Sequence, residues 1–148
     1  MAKPIRCDLA LFDRDLSGKT YIVTGANSGI GFVTTEQLVK QGAHVVMACR
    51  RVDVAQEKAN EIMSAGVAGT TEVMVMDLGD LSSIRRFAGE FLDRYARLDG
   101  LINNAGVMNT KEGQTKDGFE TQFGINHLGH FLLTSLLLGV LKSSAPSR

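Results

Sequence analysis

The 148-residue sequence predicts an α/β fold: a parallel sheet with helices on both faces, truncated after the fourth strand and its following helix. Three observations predict it. Short apolar runs alternate with stretches of helical periodicity across short joins, the pattern of right-handed βαβ units. The apolar runs are continuous, as strands covered on both faces read. The polar motifs at 24–31, 50–51, 77 and 103–106 all fall at expected strand C-termini, where ligands of such sheets bind.

Tyr21-Ile22-Val23 is the first expected strand, after the turn-like Ser17-Gly18-Lys19. A helix follows from about Ile30 with Val33, Leu38 and Val39 inward, closing at Gly42, because glycine is the usual helix stop. Ala43 to Ala48 reads as the second strand. Asp53 is a candidate N-cap for a second helix, whose Ala55, Ala59, Ile62 and Met63 share a face. Ala65 to Thr71 reads as a loop, and Val73 to Met76 as a third strand ending at Asp77. Ile84, Phe87, Ala88, Phe91, Leu92 and Tyr95 mark one face of a third helix. Leu98 to Ile102 is the fourth strand, ending in Asn103-Asn104-Ala105-Gly106, and a polar loop runs from about Asn109 to Asp117. The last helix, about Gly118 to Lys142, is apolar on several sides through Phe119, Phe123, Leu128, Phe131, Leu132 and Leu136, and so expects burial on several sides. The spacing divides the chain into an extension over 1–16 and a nucleotide-binding half-domain over 17–148.

Composition narrows the function. Hydrophobic residues make up 44% and charged residues 22%, ordinary globular usage that excludes a disordered chain. Sixteen Lys and Arg balance sixteen Asp and Glu, so no basic excess recommends nucleic acid as a partner. Three histidines and two cysteines show no metal-ligand spacing, and a reducing compartment fits Cys7 and Cys49 best. The N-terminus has no uninterrupted apolar core of a secretory signal. Phe131 to Leu141 is the most apolar stretch and is too short by itself to span a bilayer, so the expectation is a soluble, cytoplasmic chain with no transmembrane segment.

The chemistry concentrates in Thr24-Gly25-Ala26-Asn27-Ser28-Gly29-Ile30-Gly31. A strand running through a glycine-rich turn into a helix N-terminus presents free backbone N–H groups and a positive dipole end to a pyrophosphate. Gly25, Asn27, Ser28, Gly29, Ile30 and Gly31 are therefore dinucleotide-binding candidates, although a tight turn without a ligand reads the same way from these residues alone. Arg50 and Arg51 follow the second strand, and no Asp or Glu stands between Ala43 and Val52. An acid there would take the ribose 2′-OH of NAD, whereas arginine meets the 2′-phosphate of NADP; a solvated strand end is the alternative. Asp77 and Asn103 to Gly106 also suit turns. Asn126 is a polar residue in an apolar helix, and a satisfied core amide is one reading of it.

In order and spacing, Thr24–Gly31, Asp77-Leu78, Asn103–Gly106 and Asn126 resemble the N-terminal portion of the short-chain dehydrogenase/reductase family. Val46–Arg50, Leu98–Met108 and Asn126–Thr134 look most like its retinol-dehydrogenase-like branch. The resemblance implies a Rossmann-type sheet ordered 3-2-1-4 and an NADP-dependent oxidoreductase acting on a carbonyl or alcohol. It implies that Asp77 and Leu78 contact adenine, that Asn104, Ala105 and Gly106 run along the cofactor ribose, and that Asn104 steadies the sheet. Asn126 matches the family's catalytic asparagine, whose backbone helps hold a water beside an active-site lysine.

The family's proton donor is a tyrosine with a lysine four residues on. Here Gly25 and Asp99 stand four residues after Tyr21 and Tyr95, so neither fits, and the chain is expected to be inert alone. The fourth strand is expected to be a bare edge and the last helix to pair with a second copy. A noncatalytic dinucleotide-binding or interaction module is the alternative. An S-adenosylmethionine site fits less well, since an acid commonly follows the second strand in such folds and Arg50 stands there.

Overall fold

A computed structural model describes residues 8–148. Cys7, and the first seven residues of the expected extension, lie outside the described residues. Four parallel strands, β1 Thr20–Thr24, β2 His44–Cys49, β3 Thr70–Val75 and β4 Gly100–Ile102, form one sheet in the order β3-β2-β1-β4. Ile22 at the centre of β1 lies opposite Val46 on one side and Leu101 on the other. The connecting helices are α1 Gly29–Lys40, α2 Val52–Ser64 and α3 Leu81–Arg94. A last helix, α4 Thr121–Ser143, contains a π-helical turn over Gly124–Gly129. This is the Rossmann-type arrangement and strand order that the resemblance implied.

β2 shows why its strand reads as a continuous apolar run. Val45, Met47 and Cys49 join the cluster that includes Val39 of α1 and Ala55, Ala59 and Ile62 of α2. Val46 and Ala48, pointing the opposite way, join Ile84, Phe87 and Phe91 of α3 and Leu133 and Leu137 of α4. With side chains alternating at period two and both faces covered, every position must be apolar.

Several boundaries differ from the sequence reading. Val33 is exposed, and the buried stripe of α1 is Gly31, Thr35 and Val39. Two small residues there let α1 lie close to the sheet, and the Thr35 hydroxyl is satisfied by donating to the Gly31 carbonyl at 2.9 Å. Arg51, not Asp53, occupies the cap of α2, while Asp53 sits in the first turn, where a carboxylate still suits the dipole. Met63 and Leu92, at the margins of their helical stripes, are exposed. β3 begins at Thr70 because the Gly69 and Thr70 amides already donate to the Val39 and Ala43 carbonyls, at 2.9 and 3.0 Å.

The last helix begins three residues late because Gly118 has φ +84°, which no right-handed helix accommodates. Glu120 then caps it, its carboxylate accepting from the Gln122 and Phe123 amides. The preceding polar loop is pinned to the start of α3 by Lys116 on Asp80 at 2.7 Å and by the Leu81 amide donating to Asp117 at 2.9 Å. Leu133, Leu137 and Leu141 of α4 face the core, while Phe123, Phe131 and Leu138 are exposed. The apolar stretch Phe131 to Leu141 lies within a longer helix. The uninterrupted helix has 23 residues and is long and apolar enough to cross a membrane by length and composition, though its inner face packs against α3.

The edge of β4 also differs from expectation. The Leu101 amide donates to the Arg148 carbonyl at 2.8 Å, and the Arg148 amide donates to the Asp99 carbonyl at 3.0 Å. These are the two bonds of a parallel ladder, so the middle of that edge is paired.

At the opposite end of the sheet from the polar motifs, His44, Thr70, Glu72 and Tyr95 form a network. His44 Nδ1 lies 2.7 Å from the Thr70 hydroxyl and Nε2 lies 3.0 Å from the Tyr95 hydroxyl, which donates to Glu72. Burial holds His44 below the ordinary imidazole range, with Glu72 opposing and Arg94 reinforcing. His130 is lowered in the same direction, also chiefly by burial. The unfolded chain therefore binds more protons in the interval below the ordinary histidine value of about 6.5. Stability is expected to fall as pH drops from about 7 toward 5, and His44→Gln should shallow that slope; thermal melts across this interval check it.

Candidate functional site

The C-terminal ends of all four strands open into one cavity of about 320 Å3. Gly25, Asn27, Ser28, Arg50, Arg51, Asp77, Leu78, Asn104, Ala105 and Gly106 line it, together with Ala48, Cys49, Met76, Val107 and Ile125. Four separated sequence motifs thus converge. Gly29, Ile30 and Gly31 do not line it: they form the first turn of α1, with the Ile30 side chain exposed and Gly31 buried.

The turn from β1 to α1 demands its glycines. Gly25 has φ +64°, and a Cβ there would stand 2.9 Å from the Ala105 Cβ. A Cβ at Gly31 would stand 2.4 Å from the Gly25 carbonyl oxygen and 2.5 Å from Asn104 Nδ2. Ser28 occupies the cap of α1 with an extended backbone, but its side chain accepts no capping bond. The first amides of α1 are left for another acceptor, the condition for holding an anion.

The side chains of Arg50 and Arg51 are exposed, and among the described residues no hydrogen bond or ion pair engages them. Asp77 uses Oδ1 to accept from the Gly79 amide at 2.8 Å, an Asx turn that leaves Oδ2 to the cavity. Its neighbours Met76 and Leu78 are nearly buried, giving an apolar wall beside that carboxylate.

Asn104 Nδ2 donates to the Thr24 carbonyl at 2.9 Å, tying the segment after β4 to the end of β1. The Thr24 hydroxyl, fully buried, accepts from the Ala105 amide at 2.9 Å and lies 2.9 Å from His130 Nε2. His130 Nδ1 in turn lies 3.1 Å from the Asn126 carbonyl.

Asn126 lies outside the lining and is exposed, so it is not a core amide. Its side chain grips one residue: Oδ1 accepts from the Val107 amide at 2.8 Å and Nδ2 donates to the Val107 carbonyl at 2.7 Å. Both side-chain functions are thus engaged within the protein, and its carbonyl meets His130. Neither tyrosine offers acid–base chemistry near neutrality. Burial, then the Glu72 bond, pushes Tyr95 up to about 12, and burial, then Asp99, raises Tyr21. A catalytic tyrosine needs the opposite shift. Burial also raises the Cys49 thiol, against the Ala26 and Asn27 amides, leaving it protonated in the cavity wall.

Sequence reasoning missed Thr24, Cys49, Val107, Ile125 and His130. The available signal was Thr24 itself, a hydroxyl at the buried end of an apolar strand, which must find partners. Among the described residues, no group of His, Cys, Asp or Glu is placed to hold a metal.

A short chain dehydrogenase profile matches residues 19–147. Human retinol dehydrogenase 14 is 49% identical over 146 residues, covering 90% of this chain and 44% of the relative. A crystal structure of an uncharacterised Mycobacterium paratuberculosis protein superimposes with a TM-score of 0.75 at 46% identity, over 86% of this chain and 44% of that one. A metagenomic short-chain oxidoreductase solved with NADP gives 0.74 at 31% identity, over 86% and 58%. The chain thus spans less than half the length of the human relative.

Proposed function

Because the chain belongs to the short-chain dehydrogenase family, we propose that it is the nucleotide-binding half, over 17–148, of an NADP-dependent oxidoreductase that interconverts an alcohol and a carbonyl. One observation carries the reading: the glycine turn, the Arg50-Arg51 pair, Asp77-Leu78 and Asn104 to Gly106 line a single cavity. The fit to a dinucleotide rests on two features. The first turn of α1 has no side-chain cap, which suits a pyrophosphate, and both arginine side chains lack partners among the described residues, which suits a 2′-phosphate. Bound there, the nicotinamide supplies or accepts the hydride.

Each residue has a proposed task. Gly25 and Gly31 let the backbone approach the phosphates, with the amides of Asn27 to Ile30 aimed at them. Asp77 Oδ2 accepts from the adenine amino group while Leu78 and Met76 exclude water from its ring. Asn104 fixes the wall along which Ala105 and Gly106 meet the ribose. Asn126 holds Val107 with its side chain and offers its backbone to the reacting end of the site.

The test is calorimetric titration with NADPH and NADH. NADPH is expected to bind more tightly, and Arg50→Ala with Arg51→Ala is expected to weaken NADPH about tenfold and NADH little. Equal affinities in the parent chain would refute the 2′-phosphate assignment, and S-adenosylmethionine displacing NADPH would refute the dinucleotide itself.

A second reading, a binding module without turnover, is favoured by the placement of both tyrosines, neither of which lines the cavity. It expects NADPH binding with no turnover of retinoid or short-chain alcohols. The exposed Phe123, Phe131 and Leu138 of α4 further suggest self-association. Phe131→Glu is expected to shift the chain toward monomer in sedimentation experiments.

A further inference from the structure

We propose that His130, held as the neutral Nδ1–H tautomer, is a positioning residue that joins the Thr24 hydroxyl beneath the glycine turn to the Asn126 carbonyl, and that dinucleotide affinity depends on it. The second half of this statement rests on the dinucleotide reading above; the first does not.

Hydrogen accounting fixes the tautomer. The Asn126 carbonyl can only accept, so His130 Nδ1, 3.1 Å away, carries a hydrogen. The ring is 7% exposed and kept neutral by burial, so Nε2 is bare. Thr24 has one hydroxyl hydrogen and two acceptors in reach: His130 Nε2 at 2.9 Å and the Ile102 carbonyl at 3.4 Å. It takes the shorter.

The donors then run in one direction, from the Ala105 amide to Thr24, from Thr24 to His130, and from His130 to Asn126. Both ends of this relay touch the cavity wall, since Ala105 lines it directly and Asn126 clamps Val107, which also lines it. One imidazole thereby ties β1, the segment after β4 and α4 together.

A second proton on Nε2 breaks the direction. Thr24 would then receive two donors and turn its hydrogen to Ile102 at the longer distance. From β1 the ring meets the Thr24 hydroxyl and from its own helix the Asn126 carbonyl, and neither titrates. Of the other titratable groups of α4, His127 stacks with Phe123 at a centroid distance of 5.3 Å and lies tilted to Phe131 at 6.3 Å, and Lys142 stands in the last turn of the helix.

The test begins with 15N NMR of the histidine-labelled chain at pH 7.5. An Nδ1–H pattern for His130 is expected; an Nε2–H pattern overturns the proposal whether or not dinucleotide binds. NADPH is then titrated between pH 5.5 and 8 into the parent chain and into His130→Gln, whose amide oxygen can accept from Thr24 without titrating. The parent is expected to lose affinity on acidification relative to His130→Gln at the same pH, a comparison that cancels the ligand's own titration. At pH 7.5 His130→Phe should bind roughly tenfold more weakly. If His130→Phe does not fold, Thr24→Val tests the relay from its other end, with Thr24→Ser expected to restore binding. Unchanged affinity in a folded His130→Phe or Thr24→Val overturns the coupling. An Nδ1–H ring in a parent chain that binds no NADPH overturns the dinucleotide reading and leaves the tautomer standing.

Discussion

Gly31→Ala is expected to abolish measurable dinucleotide binding and to lower stability by about 2–3 kcal/mol. The added Cβ would lie 2.4 Å from the Gly25 carbonyl oxygen and 2.5 Å from Asn104 Nδ2. Neither neighbour can yield cheaply. The Gly25 carbonyl belongs to a turn fixed by φ +64°, and the Gly25 amide is bonded to the Ala48 carbonyl of β2. Asn104 is held by its bond to the Thr24 carbonyl, so moving it strips a buried acceptor. Relief must come from lifting the first turn of α1 off the sheet, which carries the anion-facing amides away from the cavity. Thermal unfolding reads the stability loss, and NADPH titration reads the binding. Gly29→Ala is the control: its φ of +52° costs backbone strain, but its Cβ would meet nothing within 4 Å. It should therefore lose stability with a far smaller effect on binding than Gly31→Ala. Comparable binding losses in the two variants would mean that backbone strain, not the Asn104 contact, governs the turn.

The same pair of residues shows what a sequence can and cannot carry. The glycine turn, Asp77 and Asn104 were legible because each sits where an apolar run stops, and a strand end is marked by local composition alone. The sheet order came from the family resemblance and not from these runs. The rule that apolar residues face inward fails at Val33 because the helical phase decides the face. Gly31, Thr35 and Val39 recur every four residues toward the strands, and Val33, two residues from Gly31 and from Thr35, falls on the opposite side. The start of α4 was misplaced for a related reason. Gly118 reads as an ordinary small residue, and only its backbone angle, set by the hairpin that brings Thr115 and Phe119 together, shows that it lies outside the helix. His130 was unreadable as anything but a packing histidine, because its partners Thr24 and Asn126 meet only when β1 and α4 are assembled. Asn126 could be picked out as unusual, but not that its side chain is spent on Val107.

Asp99→Asn is expected to cost about 3 kcal/mol. The carboxylate is buried at the foot of β4 and gathers three partners. Arg97 donates through Nε at 2.8 and 2.9 Å and through Nη2 at 2.6 Å, the Thr20 amide donates at 3.0 Å, and Lys19 lies 3.1 Å away. Burial alone would raise its pKa, yet the Arg97, Thr20 and Lys19 interactions outweigh it and bring it down to about 2. An amide keeps the shape but turns a donor toward the guanidinium and discards the charge. The Thr20 bond also aligns β1 with β4, so its loss loosens the pairing that brings Asn104 to Thr24. The sign of the pH dependence follows from a folded value below the unfolded one of 3.8. The charged form is favoured by folding, so its stabilisation is complete above about pH 4 and is lost as pH falls through 2. Urea melts at pH 7 and pH 3 separate this from a purely steric cost. The gap between parent and Asp99→Asn should be wide at pH 7 and narrow at pH 3, whereas a steric origin predicts the same gap at both. Because the ion cluster sits at the end of the sheet remote from the nucleotide cavity, the variant should retain NADPH affinity at temperatures where it remains folded.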